Sequence, residues 1–300
     1  MIRIMITSRE RMEYTKKCLE ALEKFTKSDW EVFLFDDRSS KKLEERYSEY
    51  GKLVQRYRER IAHIEIFPPY TRATHNTFGK AVAWTHFGYM STYGSMGNRF
   101  SEEKQYFDYL VLIDNDILVR KEGWDLQLIE TWKLIDQHKD YQNTVLLTTQ
   151  APGGIMSPFG QGGEKVDIEI EGKKIRIGPC GGSGFWMVKP DYFKRVGLLP
   201  LKYLEGKDKG HDILSWQIHQ KMTNSLYTAV GLWDQLSLHI GHNRSICNYL
   251  TYGKDKRKAP GDSVRADKIM KLIREEEENF KNMTLEDVIK KYDKREHQRW

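Results

Sequence analysis

The order of apolar and polar segments predicts an α/β protein built on a mixed, mostly parallel sheet, and three observations carry that prediction. The first is Tyr109-Leu110-Val111-Leu112-Ile113, an apolar run with no polar break, which reads as a strand buried on both faces. The second is the N-terminal pattern: an apolar strand from Ile2 to Thr7, a helix from Glu10 to Phe25, and a second strand from Glu31 to Phe35. Together they make a βαβ unit, whose strands run parallel. The third is how these strands end: in Thr7-Ser8-Arg9, in Asp36-Asp37-Arg38-Ser39-Ser40 and in Asp114-Asn115-Asp116. Ligands of an open parallel sheet bind outside the carboxyl ends of its strands, so the three polar clusters mark one edge as the working edge.

The remaining elements follow in order. In the first helix Met12, Cys18, Leu19, Leu22 and Phe25 recur near three- and four-residue spacing. Lys41 to Arg60 reads as a highly charged helix with Leu43, Tyr47, Tyr50, Leu53, Val54 and Tyr57 on its inner face. Ile61 to Phe67 is a third strand, stopped by Pro68-Pro69. A segment from Thr71 leads into a helix through Met90, and a loop with Gly94 and Gly97 precedes the central strand. Trp124 to His138 is a helix with Leu126, Ile129, Trp132, Leu134 and Ile135 as apolar positions, and Val145 to Thr149 is a strand. Val166 to Ile170 and Lys174 to Ile177 alternate around Glu171-Gly172-Lys173, a hairpin signal. A glycine-dense loop from Gly178 to Gly184 precedes the strand Phe185 to Val188, and a short helix begins at Asp191. A helix over His211 to Met222 and strands near Ser225 to Leu232 and Gln235 to Ile240 complete the main body. From Lys254 the composition shifts to a charge run and then charged helix, with Ile269, Leu272, Ile273, Phe280, Leu285, Val288 and Ile289 as anchors onto the body.

Composition bounds the function classes. With 300 residues, 39% hydrophobic and 12% aromatic, the chain can build a full core, which excludes disorder of the whole. A net charge of +6 suits a phosphorylated ligand and permits a polyanion without demanding one. No stretch approaches the ~20 apolar residues of a membrane span, and Met1 to Thr7 is too short for a signal-peptide core. Cys18, Cys180 and Cys247 form no Cys-x-x-Cys pair, against a zinc site and against a disulfide framework. A cytoplasmic, reduced protein is the expectation.

Two hard oxygen donors at the end of the central strand, Asp114 and Asp116, suit a divalent cation that keeps open positions for phosphate. The competing reading is a plain turn, since Asp and Asn favour turns.

Four stretches together resemble the inverting, metal-dependent glycosyltransferases of the large family 2 type, which have the GT-A nucleotide-diphospho-sugar fold. They are Ile6-Thr7-Ser8-Arg9 with the following helix; Phe35-Asp36-Asp37-Arg38-Ser39-Ser40; Leu112-Ile113-Asp114-Asn115-Asp116; and Gly181-Gly182-Ser183-Gly184-Phe185-Trp186-Met187-Val188 followed by His211-Asp212. The resemblance covers roughly residues 1 to 245 and implies a Rossmann-like sheet flanked by helices. It implies a catalytic domain over 1–250, divided into a nucleotide-sugar half (1–116) and an acceptor half (117–250), with 251–300 as a C-terminal helical extension.

The roles implied by the resemblance are these. Thr7, Ser8 and Arg9 cradle the nucleoside; Asp36 or Asp37 accepts from base or ribose, unless it caps the following helix. Asn76, Gly79 and Lys80 match a segment that lets the nucleotide approach closely, with a simple helix start as the alternative. Asp116 is the first choice for direct contact with Mn²⁺ or Mg²⁺, and Asp114 binds metal or ribose. A late histidine, His239 in preference to His242, completes the set. Asp212 is the candidate general base for in-line attack by an acceptor hydroxyl, helix capping being its alternative. Gly182, Ser183, Gly184, Trp186 and His211 lie on the acceptor side; Trp186 and Trp233 could stack on sugar rings or sit in the core. The family's Glu-Asp is His211-Asp212 here, which leaves the second acidic role unfilled.

The expected function is therefore transfer of a sugar, UDP-linked by preference, to an acceptor hydroxyl with inversion. Two other classes compete. A sugar-phosphate nucleotidyltransferase would need a glycine-rich basic loop after the first strand, and Thr7-Ser8-Arg9-Glu10-Arg11 has no glycine. A non-catalytic nucleotide or nucleic-acid binding module could use Lys254-Asp255-Lys256-Arg257-Lys258 against a phosphate backbone. The acceptor, whether glycan, protein, small molecule or modified DNA, is not legible in the residues.

Overall fold

The computed structural model describes residues 1–8, 11–36, 43–66, 107–149, 166–178, 185–189, 227–231, 235–241, 271 and 274–293. Within these the chain forms β1 (Ile2–Ser8), α1 (Met12–Phe25), β2 (Trp30–Asp36), α2 (Leu43–Arg56), β3 (Ile61–Ile66), β4 (Tyr109–Asp114), β5 (Ile117–Val119), α3 (Trp124–Gln137), β6 (Thr144–Thr148), β7 (Val166–Ile170), β8 (Lys173–Gly178), β9 (Phe185–Val188), β10 (Tyr227–Gly231), β11 (Ser237–His239) and α4 (Leu285–Asp293). A helical segment over 274–281 precedes α4.

Nine strands make one sheet in the order β3-β2-β1-β4-β9-β6-β10-β8-β7. β1 pairs in parallel with β2 and β4, β2 with β3, and β6 with β10. β9 runs antiparallel between β4 and β6, and β8 antiparallel to both β10 and β7. This is the expected α/β class: a Rossmann-like, mixed, mostly parallel sheet flanked by helices.

The sheet is apolar on both faces because its central strands carry unbroken apolar runs. Ile4 and Ile6 of β1 stand level with Val32 and Leu34 of β2 and with Val111 and Ile113 of β4, all buried. Met5, Phe33 and Leu112 form the matching row on the opposite face, and Trp186 of β9 lies level with Leu112. Ser8 pairs with Asp36 and Thr7 with Asp114, so the carboxyl ends of β1, β2 and β4 finish abreast. Sequence order alone thus delivers three polar strand ends to one edge.

Two helices differ from the expected faces. In α2 the buried positions are Arg46, Tyr50 and Leu53, while Tyr47 and Val54 are 57% and 38% exposed. The stripe runs through 46, 50, 53 and 57, and a one-residue step along a helix turns a side chain by about 100°. In α3 Leu126 is exposed, and Trp124, Leu128 and Trp132 face inward with Leu134 and Ile135. The hairpin forms as expected: Glu171 and Gly172 have φ of 51° and 74°, the doubly left-handed turn that matches strand twist.

The C-terminal helices dock on α1, as the anchor pattern predicts for Phe280, Leu285 and Val288, all buried; Ile269, Leu272 and Ile273 lie outside the described residues. The Tyr14 ring packs 4.7 Å from Phe280, and the Tyr14 hydroxyl donates to Glu276 Oε2 at 2.7 Å. Tyr292 also donates to Glu276, and Lys291 Nζ lies 3.3 Å from it. Lys17 Nζ donates to the Met283 carbonyl at 2.8 Å. Thr284 caps α4: its Oγ1 accepts from the Asp287 amide at 3.1 Å, while the Thr284 hydroxyl donates to Asp287 Oδ2 at 2.7 Å. A buried carboxylate holding two tyrosine hydroxyls thus fixes the late helices against the first.

Candidate functional site at the carboxyl edge of the sheet

β4 ends at Asp114, and the chain turns through Asn115 and Asp116 into β5. The middle residue turns inward. Asn115 Nδ2 donates to Ser8 Oγ at 3.2 Å, to the Arg11 carbonyl at 3.0 Å and to Thr15 Oγ1 at 3.0 Å. Ser8 Oγ and Thr15 Oγ1 are themselves 2.9 Å apart. One buried amide therefore ties the turn to the end of β1 and the head of α1.

β5 pairs antiparallel with β11, with His239 level with Ile117. The ladder extends beyond the strands, since the Ile240 amide donates to the Asp116 carbonyl at 2.8 Å. Three distant residues, one from the head of α1 and two from β11 and its end, meet around the Asp116 carboxylate. The Arg11 guanidinium donates to Asp116 Oδ2 in a buried ion pair. His239 Nε2 stands 3.6 Å from the same oxygen. Gly241 faces the carboxylate so closely that a Cβ there would lie 2.2 Å from Oδ2 and 2.8 Å from Cγ. Only glycine leaves room for Asp116 in this position.

Charge at the site is strongly organised. Burial alone would push the Asp116 carboxyl up; the Arg11 guanidinium and then His239 outweigh it and hold the carboxyl well below the usual carboxylate range. Beneath it, burial pushes the Cys18 thiol far up, and the nearby Asp116 and Asp114 charges add to that shift. His239 is 9% exposed, and its Nδ1 is buried without a hydrogen-bond partner among the described residues.

A carboxylate and an imidazole are a suitable donor pair for Mn²⁺ or Mg²⁺. Among the described residues no group of three or more His, Cys, Asp or Glu side chains converges, and the Asp116 oxygen nearest His239 also carries Arg11. Two potential donors, Asp116 and His239, thus stand together among the described residues, and Arg11 occupies the carboxylate oxygen between them.

The other expected residues divide clearly. Asp36 is 2% exposed and accepts from Arg46 Nε at 2.9 Å, with Arg46 Nη2 2.8 Å from its other oxygen in the ion pair. This carboxylate is engaged by α2, so the expected contact with a base or ribose meets a guanidinium already in place. Ser8 is buried and bonded to Thr15 and Asn115, which makes it part of the support under the turn. Trp186 is 1% exposed in β9, so it is core and not a surface for a sugar ring. The backbone of Thr7 ends β1 beside Asp114. Arg9, Asp37, Asn76, Gly79, Lys80, Gly182, Ser183, Gly184, His211, Asp212, Trp233 and His242 lie outside the described residues.

Sequence reasoning passed over Arg11 and Asn115. Arg11 lies at the head of the helix after β1, on the working edge, and a cation at such a place is a signal in itself. Asn115 was hidden by the acids on either side of it.

No protein-family model matches the chain, and no curated protein matches it in sequence. Solved structures with similar chain paths include Staphylococcus aureus (S. aureus) TarS residues 1–349 in complex with UDP-GlcNAc, with TM-score 0.46 and 11% identity over 81% of this chain and 59% of that one. A second is GalNAc-T7 with UDP, GalNAc and Mn²⁺, with TM-score 0.46 and 14% identity over 92% of this chain and 55% of that one. The chain spans 63% of TarS 1–349 and 42% of the longer TarS structure. No helix among the described residues is long and apolar enough to cross a membrane.

Proposed function

We propose that the protein is a glycosyltransferase that moves a sugar from a nucleotide-diphospho-sugar, UDP-linked, to an acceptor hydroxyl with inversion. The observation that carries the proposal is the Asp114-Asn115-Asp116 turn at the carboxyl end of β4, with Asp116 facing a guanidinium and an imidazole. Three strand ends abreast form the crevice in which an α/β sheet takes its ligand. The Arg11 guanidinium there suits a diphosphate.

In this reading Asp116 and His239, with Asp114, hold Mn²⁺ or Mg²⁺, and His242 is the alternative histidine. A divalent cation would neutralise charge on the departing nucleoside diphosphate. Asp212 takes the proton from the acceptor hydroxyl as its oxygen attacks the anomeric carbon; the new C–O bond forms as the bond to the diphosphate breaks on the opposite face. Thr7, Arg9, Asp37, Asn76, Gly79 and Lys80 contribute to the nucleotide side, and Gly182, Ser183, Gly184 and His211 to the acceptor side. The nucleotide half is assigned to residues 1–116, the acceptor half to 117–250 and the extension to 251–300.

The test is a thermal-shift panel of UDP-, GDP- and dTDP-sugars with and without Mn²⁺. Stabilisation grows with the ratio of ligand concentration to Kd. A cation-dependent shift with one donor, lost in Asp116→Ala, is the expected result. No shift with any donor would overturn the proposal.

A further inference from the structure

Asp116 Oδ2 is shared by two groups of different kind. Arg11 donates to it from the head of α1, and His239 Nε2 stands 3.6 Å away on β11. The Arg11 side chain is 7% exposed and the Asp116 side chain 13%, so the pair is shielded from water. The guanidinium carbon lies 5.5 Å over the Tyr14 ring, and Tyr14 is anchored by its hydroxyl to the buried Glu276. Gly241 leaves the space beside the carboxylate that any side chain there would fill. A dication on that oxygen would stand beside the guanidinium in a poorly screened environment, where like charges repel strongly.

Resting on the proposed function, we infer that Arg11 is a built-in occupant of the cation position, which a divalent cation displaces only when a diphosphate is present to receive the guanidinium. A diphosphate is the natural alternative partner, because a guanidinium forks onto phosphate oxygens as readily as onto a carboxylate. Moving Arg11 to the diphosphate frees Asp116 Oδ2 for the cation. Cation and nucleotide then bind cooperatively, and the coupling is reciprocal: each raises the affinity for the other by the same factor. Arg11 is in this sense a positioning residue that makes cation binding conditional on the donor.

The test measures Mn²⁺ affinity on the full chain by electron paramagnetic resonance of free Mn²⁺, with and without saturating UDP. The variants are Arg11→Ala and Arg11→Met, the second keeping an unbranched stem against Tyr14 if the first folds poorly. Wild type is expected to bind Mn²⁺ at least ~10-fold more tightly with UDP than without, a typical size for coupling between sites. The variants are expected to bind Mn²⁺ at least ~10-fold more tightly than wild type when UDP is absent, and to gain less than ~3-fold from UDP. If wild type binds UDP and Mn²⁺ together while the variants show unchanged Mn²⁺ affinity and unchanged coupling, the role of Arg11 is overturned and the transferase reading stands. If neither wild type nor variants bind Mn²⁺ under any condition, both fall. Tight Mn²⁺ binding by the variants alone, with none by wild type even at saturating UDP, would overturn the exchange, since no diphosphate would then release Asp116.

Discussion

Replacing Asn115 with alanine removes one amide that is bonded to three oxygens. The acceptors are Ser8 Oγ, the Arg11 carbonyl and Thr15 Oγ1, at 3.0 to 3.2 Å. None is orphaned by the change. The Arg11 carbonyl keeps the Thr15 amide at 3.1 Å, and the two hydroxyls keep each other at 2.9 Å. The loss is therefore that of the bonds themselves, without the larger penalty for a stranded buried group. An NH₂ group has two protons, and at about 1 kcal/mol net for each bond the expected cost is about 2 kcal/mol. For a chain of 300 residues that lowers Tm by about 3 °C. Asn115→Asp should cost more, since it sets a buried carboxylate against the Arg11 carbonyl and supplies no proton. Urea unfolding followed by tryptophan fluorescence reads both variants, because Trp124, Trp132 and Trp186 are fully buried reporters. A loss under ~0.5 kcal/mol for the alanine variant, the range of an indifferent surface change, would refute the reasoning. So would an Asp variant no worse than the Ala one.

Three further outcomes are expected. Gly241→Ala should displace the Asp116 carboxylate, since the new methyl would lie 2.2 Å from Oδ2; nucleotide- and Mn²⁺-dependent thermal shifts should vanish, and a crystal structure with Asp116 unmoved would contradict this. Asp36→Ala leaves the Arg46 guanidinium, 1% exposed, without its buried ion-pair partner, and should cost about 3–5 kcal/mol in denaturant unfolding. The depressed carboxyl of Asp116 gives stability that is in place above the ordinary carboxyl range near pH 4 and fades as pH falls further. The stability gap between wild type and Asp116→Asn should accordingly hold between pH 5 and 7 and narrow below pH 4, read by urea midpoints across that range.

The parts of this fold that could be read from the residues were those whose pattern is local. Ile2 to Thr7, Glu31 to Phe35 and Tyr109 to Ile113 announce buried strands because their apolar runs need no partner to be recognised. Glu171-Gly172 announces its turn because few residue pairs adopt two left-handed conformations in succession. Tyr47 and Val54 misled because an apolar side chain one position off the stripe looks the same as one on it; the position that faces inward, Arg46, is charged and is explained only by Asp36 across the chain. The three-residue strand β5 is too short to show a period of its own, and it exists because β11 lies beside it. Asp116 and His239 could be nominated from their residue types. Arg11 could be placed on the working edge, but its pairing with Asp116 could not be read, because the two lie 105 positions apart and nothing local links them.

The clamp between Tyr14 and Glu276 joins residues 262 positions apart in sequence. At a synthesis rate of about 5–20 residues per second, the first helix is out of the ribosome for roughly 13–50 s before its covering partner has been made. During that interval the face that will meet Phe280 and the hydroxyl that will meet Glu276 are open to water and to other chains. The packing of the first helix therefore waits for residues 276–292, and contacts of such long range form slowly. Chaperone dependence during translation, relieved in trans by a peptide spanning residues 271–293, would be the biological signature of that delay.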